Sequence, residues 1–164
     1  MKRVYCKIEK CLSCGSCEIA CAVAHSRSKS LMEAVREYPL PKHRIHVESI
    51  GPATVPCNVR SIALQCRHCD EPLCAQACIS GGISRHKETG EVQSDPSKCV
   101  ACWSCIMVCP FGVIVRYEDC GRAVKCDHCP DLDNPACVEA CPTKALLYCE
   151  QEDVNIDDLA ESLL

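Results

Sequence analysis

Twenty of the 164 residues in this chain are cysteines, and sixteen of them fall into four short runs. The runs are Cys11, Cys14, Cys17, Cys21; Cys66, Cys69, Cys74, Cys78; Cys99, Cys102, Cys105, Cys109; and Cys126, Cys129, Cys137, Cys141. Cys6, Cys57, Cys120 and Cys149 stand outside them. Hydrophobic residues make up 48% of the chain, but that figure counts the cysteines, and aromatic residues are only 4%, with one Trp and one Phe. The apolar core is therefore thin. Side-chain burial alone does not offset the entropy of ordering such a chain, so disulfides or metal must supply cross-links.

Cysteine-rich composition usually marks a secreted disulfide scaffold. The first ten residues, MKRVYCKIEK, argue against that reading. They contain no apolar run followed by a small-residue cleavage site and no twin-arginine pair, so no export signal is expected. Nor does any stretch approach the roughly 18 uninterrupted apolar residues of a membrane span. A cytoplasmic location follows as the expectation, and a reducing cytoplasm keeps thiols available as metal ligands. The formal net charge is −4 before any metal is counted. Four oxidised 4Fe-4S cubes with their thiolates would add roughly −8, which makes nucleic acid an unsuitable partner.

The runs alternate in type. The first (CLSCGSCEIAC) and third (CVACWSCIMVC) share C-x2-C-x2-C-x3-C, while the second (CRHCDEPLCAQAC) and fourth (CDHCPDLDNPACVEAC) share a C-x-H-C opening and a longer gap before the third cysteine. His68 thus matches His128, and a two-motif unit, Cys11 to Cys78, looks duplicated as Cys99 to Cys141. Extended segments follow the runs. Gly82 to Val92 alternates around a Thr-Gly turn, Phe111 to Tyr117 is rich in β-branched residues, and Ala145 to Cys149 occupies the same place after the last run. The three residues between third and fourth cysteines suit the first turn of a short helix. Strand, loop and short helix are therefore expected four times over.

Two segments lie outside the repeat. There are 44 residues between Cys21 and Cys66 against 16 between Cys109 and Cys126, so residues 22–65 read as an insertion. Within it Leu31, Ala34, Val35 and Tyr38 have helical spacing up to Pro39 and Pro41, and His43 to Ile50 alternates as a strand. Residues 150–164 read as an acidic tail in which Asn155 caps an amphipathic turn or two carrying Ile156, Leu159, Leu163 and Leu164.

A 4Fe-4S cube needs four thiolates around a compact inorganic core, and a C-x2-C-x2-C loop can curl around three of its iron corners. In two-cluster ferredoxins the fourth cysteine of each run ligates the other cluster, so paired motifs lock each other in place. The x3 spacing fits this, because a turn of helix carries the last thiolate away from its own loop. Pro110 and Pro142 then end the ligand run. Zinc sites use two pairs of ligands and leave the third and fourth cysteines of each run without a purpose.

The order of these motifs resembles the four-cluster ferredoxin-like subunits of the dimethyl sulfoxide reductase and formate dehydrogenase type, over roughly Lys7 to Tyr148. Short length and the absence of an anchor bring it closer to the members that accompany carbon monoxide dehydrogenase, tungsten aldehyde oxidoreductase or hydrogenase. The segment Cys21-Ala22-Val23-Ala24-His25-Ser26 adds weakly to that narrower likeness. Ala22 and Ile79 depart from it, since other runs have Pro there, but neither removes a ligand. The resemblance implies an α+β fold, a single polyferredoxin unit of two ferredoxin-like lobes: an outer one from motifs 11–21 and 126–141 and an inner one from motifs 66–78 and 99–109. It also implies the ligand sets. One cube takes Cys11, Cys14, Cys17 and Cys141, and its partner Cys126, Cys129, Cys137 and Cys21. The inner cubes take Cys66, Cys69, Cys74 with Cys109, and Cys99, Cys102, Cys105 with Cys78. The tandem repeat taken alone leaves open the alternative in which each half pairs within itself.

The remaining features have bland readings. The four spare cysteines read as small buried hydrophobes, with Cys120 in a polar loop the most exposed. His68 and His128 read as hydrogen-bond donors to sulfur or as packing residues, because sixteen cysteines already suffice as ligands. Trp103 reads as a shield that keeps water from a cluster. Arg27, Lys29, Arg36, Lys42 and Arg44 in the insertion read equally as a docking face or a solvated one. Nothing supplies an acid-base pair or a glycine-rich phosphate loop, so the chain is expected to be no enzyme. The expected function is relay of single electrons through four 4Fe-4S clusters, between a tungsten/molybdenum, carbon monoxide dehydrogenase or hydrogenase subunit and a second electron carrier or flavoprotein. A freely diffusing polyferredoxin and an assembly module stapled by its clusters are the alternatives.

Overall fold

The computed structural model describes residues 1–50 and 60–150. Cys57 and the expected tail helix after Asn155 lie outside the described residues. Four two-stranded antiparallel ribbons, five short α-helices and three single-turn 3-10 helices make up the regular structure described. β1 (Lys2–Cys6) pairs with β8 (Leu146–Glu150), with Val4 opposite Tyr148. β2 (Ile45–Ile50) pairs with β3 (Arg60–Gln65), β4 (Ile83–Arg85) with β5 (Val92–Ser94), and β6 (Val115–Tyr117) with β7 (Arg122–Val124).

Each cysteine run feeds one helix and then one ribbon. The helices are α1 (Ser16–Ala24), α3 (Leu73–Gln76), α4 (Ser104–Met107) and α5 (Ala136–Glu139), and each carries the third cysteine of its run. After the second, third and fourth runs the chain makes the same turn. The N–H of the residue three beyond the last cysteine (Gly81, Gly112, Lys144) donates back to that cysteine's carbonyl, and all three residues have positive φ. The first run lacks this turn. There α1 continues through Cys21 to nine residues, where α3 has four.

The long loop between Cys21 and Cys66 is built into the molecule. Ile45 and Ala63 of its hairpin are buried with Val4, Cys17, Cys21, Cys137 and Leu146. Gln65 donates through Nε2 to the Val4 carbonyl, which ties the hairpin to β1. The expected helix over 30–38 is shorter: α2 is Leu31–Ala34, only Ala34 is buried, and Leu31, Val35 and Tyr38 face solvent. A local closure competes with the helix here. The Glu37 carboxylate accepts the N–H groups of Arg27 and Ser28 at 3.0 and 2.8 Å, and the Arg27 guanidinium donates to the Tyr38 carbonyl at 2.7 Å. Lys29 Nζ donates to the Ala24 carbonyl. Arg44 pairs with Asp127. Of the basic residues read as a docking face, Arg27, Lys29 and Arg44 are thus engaged within the chain.

Packing follows the alternation of motif type. α1 lies against α5 and α3 against α4, so the first run faces the fourth and the second faces the third. The tandem halves do not close on themselves.

Candidate iron-sulfur sites

Short-range backbone geometry prepares each cysteine loop. The residue just before the second cysteine has positive φ in all four runs: Ser13, His68, Ala101 and His128. In the first and third runs the residue just after it, Gly15 or Trp103, does too. Alternating left- and right-handed residues turn successive N–H groups toward one side, which builds a concave anion-binding surface. At Gly15 the glycine meets that need without strain; at Trp103 an indole is held in a conformation that few large side chains adopt.

Three cavities are each lined by four cysteines of the runs. One holds Cys11, Cys14, Cys17 and Cys141, with Cys6 and Leu12 beside them. A second holds Cys66, Cys69, Cys74 and Cys109, bordered by Val92, Phe111 and Val113. A third holds Cys99, Cys102, Cys105 and Cys78, covered by Trp103. The remaining four, Cys126, Cys129, Cys137 and Cys21, lie within electrostatic reach of one another in the packing of α5 against α1. In every set, three cysteines come from one run and the fourth from the run it faces.

The chemistry of these sets calls for a cation. All nineteen described cysteines are free thiols. Burial pushes Cys17 and Cys74 up to about 11 and Cys126 up to about 12, and raises Cys137 further still through burial and the neighbouring thiols. Four sulfurs packed together out of water resist ionising unless positive charge sits among them, and iron bound there would deprotonate them outright. N–H groups already point at several of the sulfurs. Arg44 donates to Cys21 Sγ at 3.2 Å, Ala145 to Cys141 Sγ at 3.2 Å, His68 to Cys66 Sγ at 3.5 Å and Ala123 to Cys99 Sγ at 3.5 Å. The donor set fits 4Fe-4S cubes.

The four sets differ in environment. A hydroxyl follows two residues after Cys14 and Cys141 (Ser16, Thr143) and after Cys102 and Cys78 (Ser104, Ser80). Ser16 Oγ lies 3.4 Å from Cys14 Sγ, Ser80 Oγ 3.6 Å from Cys78 Sγ and Thr143 Oγ1 3.7 Å from Cys141 Sγ. Hydrogen bonds from Ser16 lower the Cys14 thiol, and those from the Ser104 backbone and hydroxyl lower Cys102. Cys78 and Cys141 are lowered too, the hydroxyl and backbone donors outweighing burial. The equivalent places beside Cys69, Cys129, Cys109 and Cys21 hold Glu71, Asp131, Phe111 and Val23. Two sets therefore collect two hydroxyls each and the other two collect none. A recurring C-x-S/T is the sequence signal of these hydroxyls.

The sets also differ in exposure. Cys14 and Cys102 are exposed, whereas Cys66, Cys126, Cys129 and Cys137 are buried. Leu12 and Val100, each between the first two cysteines of a run, are 69% and 60% exposed. Trp103 is half-buried over its cavity, with the Arg116 guanidinium 4.4 Å from its ring centre. Cys6 is buried, accepts the Ala63 N–H at 3.4 Å and is pushed up to about 11 chiefly by burial, as suits a neutral packing thiol; Cys120 is exposed.

Two features had no signal in the sequence. His25 and Arg44 both bind Asp127, holding the Asp127 carboxyl well below the usual range against the cost of burial. This knot fastens the loop after α1 to the fourth run. The second is Lys125, fully buried beside the stacked rings of His68 and His128.

Comparison with known proteins agrees with this chemistry. Residues 57–151 match the family described as 4Fe-4S dicluster domain. The chain is 41% identical over 160 residues to an iron-sulfur protein of Rhodospirillum rubrum, covering 87% of this chain and 79% of that protein. It is 36% identical over 163 residues to the electron transport protein HydN of Escherichia coli (strain K12), covering 89% and 86%. It is 30% identical over 156 residues to the thiosulfate reductase electron transfer subunit PhsB of Salmonella typhi, covering 90% and 75%.

Proposed function

Since this chain belongs to the 4Fe-4S dicluster family and is an electron-transport iron-sulfur protein rather than an enzyme, we propose that it holds four 4Fe-4S cubes in a row and relays single electrons between a catalytic oxidoreductase subunit and a second redox protein. The ligand sets are the four groups of cysteines described above, in two lobes joined side by side. The cubes supply the one-electron chemistry; the residues of this chain fix the path and the potentials.

The arrangement of the sets carries this reading. Cys78 and Cys74 leave the same turn of chain at α3, which sets the Cys99 group beside the Cys66 group. Cys66 and Cys126 are buried in one cluster with Val113, which sets the Cys66 group beside the Cys126 group. Cys21 and Cys17 share α1, which brings the Cys126 group next to the Cys11 group. The row thus has two ends, and the exposed cysteines Cys14 and Cys102 stand at those ends. Cys21, Cys66, Cys126, Cys129 and Cys137 are buried between those ends, and exposed Leu12 and Val100 offer apolar contact to a partner at either terminus.

A reducing cytoplasm suits the free thiols, and the catalytic partner is of the aldehyde oxidoreductase or carbon monoxide dehydrogenase type, with an electron carrier or flavoprotein at the other end. Analysis of anaerobically purified protein tests the reading. About sixteen iron and sixteen acid-labile sulfide per chain are expected, reducible by dithionite with spectroscopic signals of interacting clusters. Zinc without sulfide, or about eight iron, would overturn it. The ends are tested separately. Leu12→Glu is expected to slow exchange with one partner and Val100→Glu with the other, each leaving iron content unchanged, as read by stopped-flow reduction.

A further inference from the structure

Lys125 is 1% exposed, among the most buried side chains of the described residues. Its Nζ donates to the Val92 carbonyl and, at 2.8 Å, to the Cys126 carbonyl. No carboxylate stands within ion-pair distance of it among the described residues. A buried ammonium held only by carbonyl dipoles is costly unless a counter-charge lies close by. The sulfurs nearby are those of the two interior groups. Lys125 directly precedes Cys126 of one group, and Cys66 of the other is buried in one cluster with Cys126 and Val113. Lys125 also spans the seam itself, because Val92 belongs to the ribbon after the second run and Cys126 opens the fourth.

The seam is paved by two imidazoles. His68 and His128 stack with ring centres 3.9 Å apart and planes 30° from parallel. Val92 N–H donates to His68 Nδ1 at 3.1 Å, and His128 Nδ1 lies 3.2 Å from Glu91 Oε1. Both Nε2 atoms are buried without a hydrogen-bond partner among the described residues. One ring nitrogen of each imidazole and the Cys126 sulfur lie within 4.8 Å of one another.

The end groups carry the two exposed cysteines, Cys14 and Cys102, and two hydroxyls each; no interior cysteine is fully exposed, and none has a hydroxyl two residues on. Solvent and hydrogen bonds to sulfur both stabilise the reduced, more negative cube and raise its potential. Interior cubes with less of both would sit lower, and the hop from an end cube onto the interior would run uphill. We propose that Lys125 is a positioning charge for entry of the electron into the interior: its buried ammonium raises the reduction potentials of both interior cubes together, doing for them what hydroxyls and water do for the end cubes. The step is a one-electron transfer with no proton, from a reduced end cube to the oxidised interior cube of the same lobe. This inference rests on the four-cube reading above.

The test is a potentiometric titration of the iron-loaded protein, monitored by EPR, in three variants. Lys125→Gln keeps a donor for the two carbonyls and removes the charge, Lys125→Met removes both, and Lys125→Arg keeps the charge. Iron and sulfide content is measured first, and a shortfall already present in the unmutated protein counts against the four-cube reading instead. In Gln or Met variants with full iron, the two interior midpoints are expected to fall by a tenfold change in the reduction equilibrium, about 59 mV for one electron. The end midpoints should move by less. Interior midpoints that stay in place at full iron would overturn the proposal, since a purely structural lysine moves none of them. Should neither neutral variant load, the Arg variant decides: unshifted interior midpoints support the charge, and a fall of that size refutes it.

Discussion

Removing the iron from this protein anaerobically with a chelator is expected to unfold it. The large aliphatic residues that are buried, among those described, are Val4, Ile45, Ile83, Val92, Val113, Ile114 and Leu146, and the rest of the buried apolar set is largely cysteine and alanine. Four of the helices have four residues each, far short of the roughly 12 needed for marginal stability in isolation. Three-residue ribbons such as β4–β5 and β6–β7 are no more self-sufficient. What joins these pieces is the gathering of sulfurs from remote runs, for example Cys141 with Cys11, Cys14 and Cys17. With iron gone, four buried thiols take the place of a cross-link, and binding free energy that served as folding free energy is lost. Far-UV circular dichroism of the apoprotein should show the ribbons and helices gone and no cooperative thermal transition. An apoprotein that melts cooperatively within a few degrees of the loaded form would show that the core suffices.

The second large effect concerns the interior of the row. Cys74→Ala removes the third cysteine of the second run, which lines a cavity with Cys66, Cys69 and Cys109. Loss of that cube should cost about a quarter of the iron while the end groups still load. Reduction of the end cube next to the electron donor should then proceed as before, and delivery to the far end should fall to the background seen without protein. A full rate of through-protein delivery at three-quarters iron would mean that electrons do not pass through the interior, and the row would be wrong.

How much of this was legible beforehand varies by residue. The cysteine spacing and the alternation of motif types stood in the sequence, and so did the repeat of short helix and ribbon, because local geometry within a run depends on few neighbours. The hydroxyls at Ser16, Ser80, Ser104 and Thr143 were equally visible, yet their meaning needed the facing of runs: only then do they fall two by two on the same cavities. The apolar spacing of Leu31, Val35 and Tyr38 misled, since Glu37 closing on Arg27 and Ser28 ended the helix and left that stripe in solvent. The basic residues of the same loop misled in part, with Arg44 drawn into the Asp127 knot. Lys125 could not be found at all, because a lysine before a cysteine carries no mark of being buried between two lobes.

The crossing of the fourth cysteines is the claim on which the row, its ends and its buried middle depend. Anomalous diffraction at the iron edge from anaerobic crystals of the loaded protein tests it most directly. The expected map has four iron peaks in line, with Cys141 Sγ on the cube of Cys11, Cys14 and Cys17, and Cys78 Sγ on the cube of Cys99, Cys102 and Cys105. Cys21 bound to the cube of its own run, or Cys78 bound to the cube of Cys66, would contradict it.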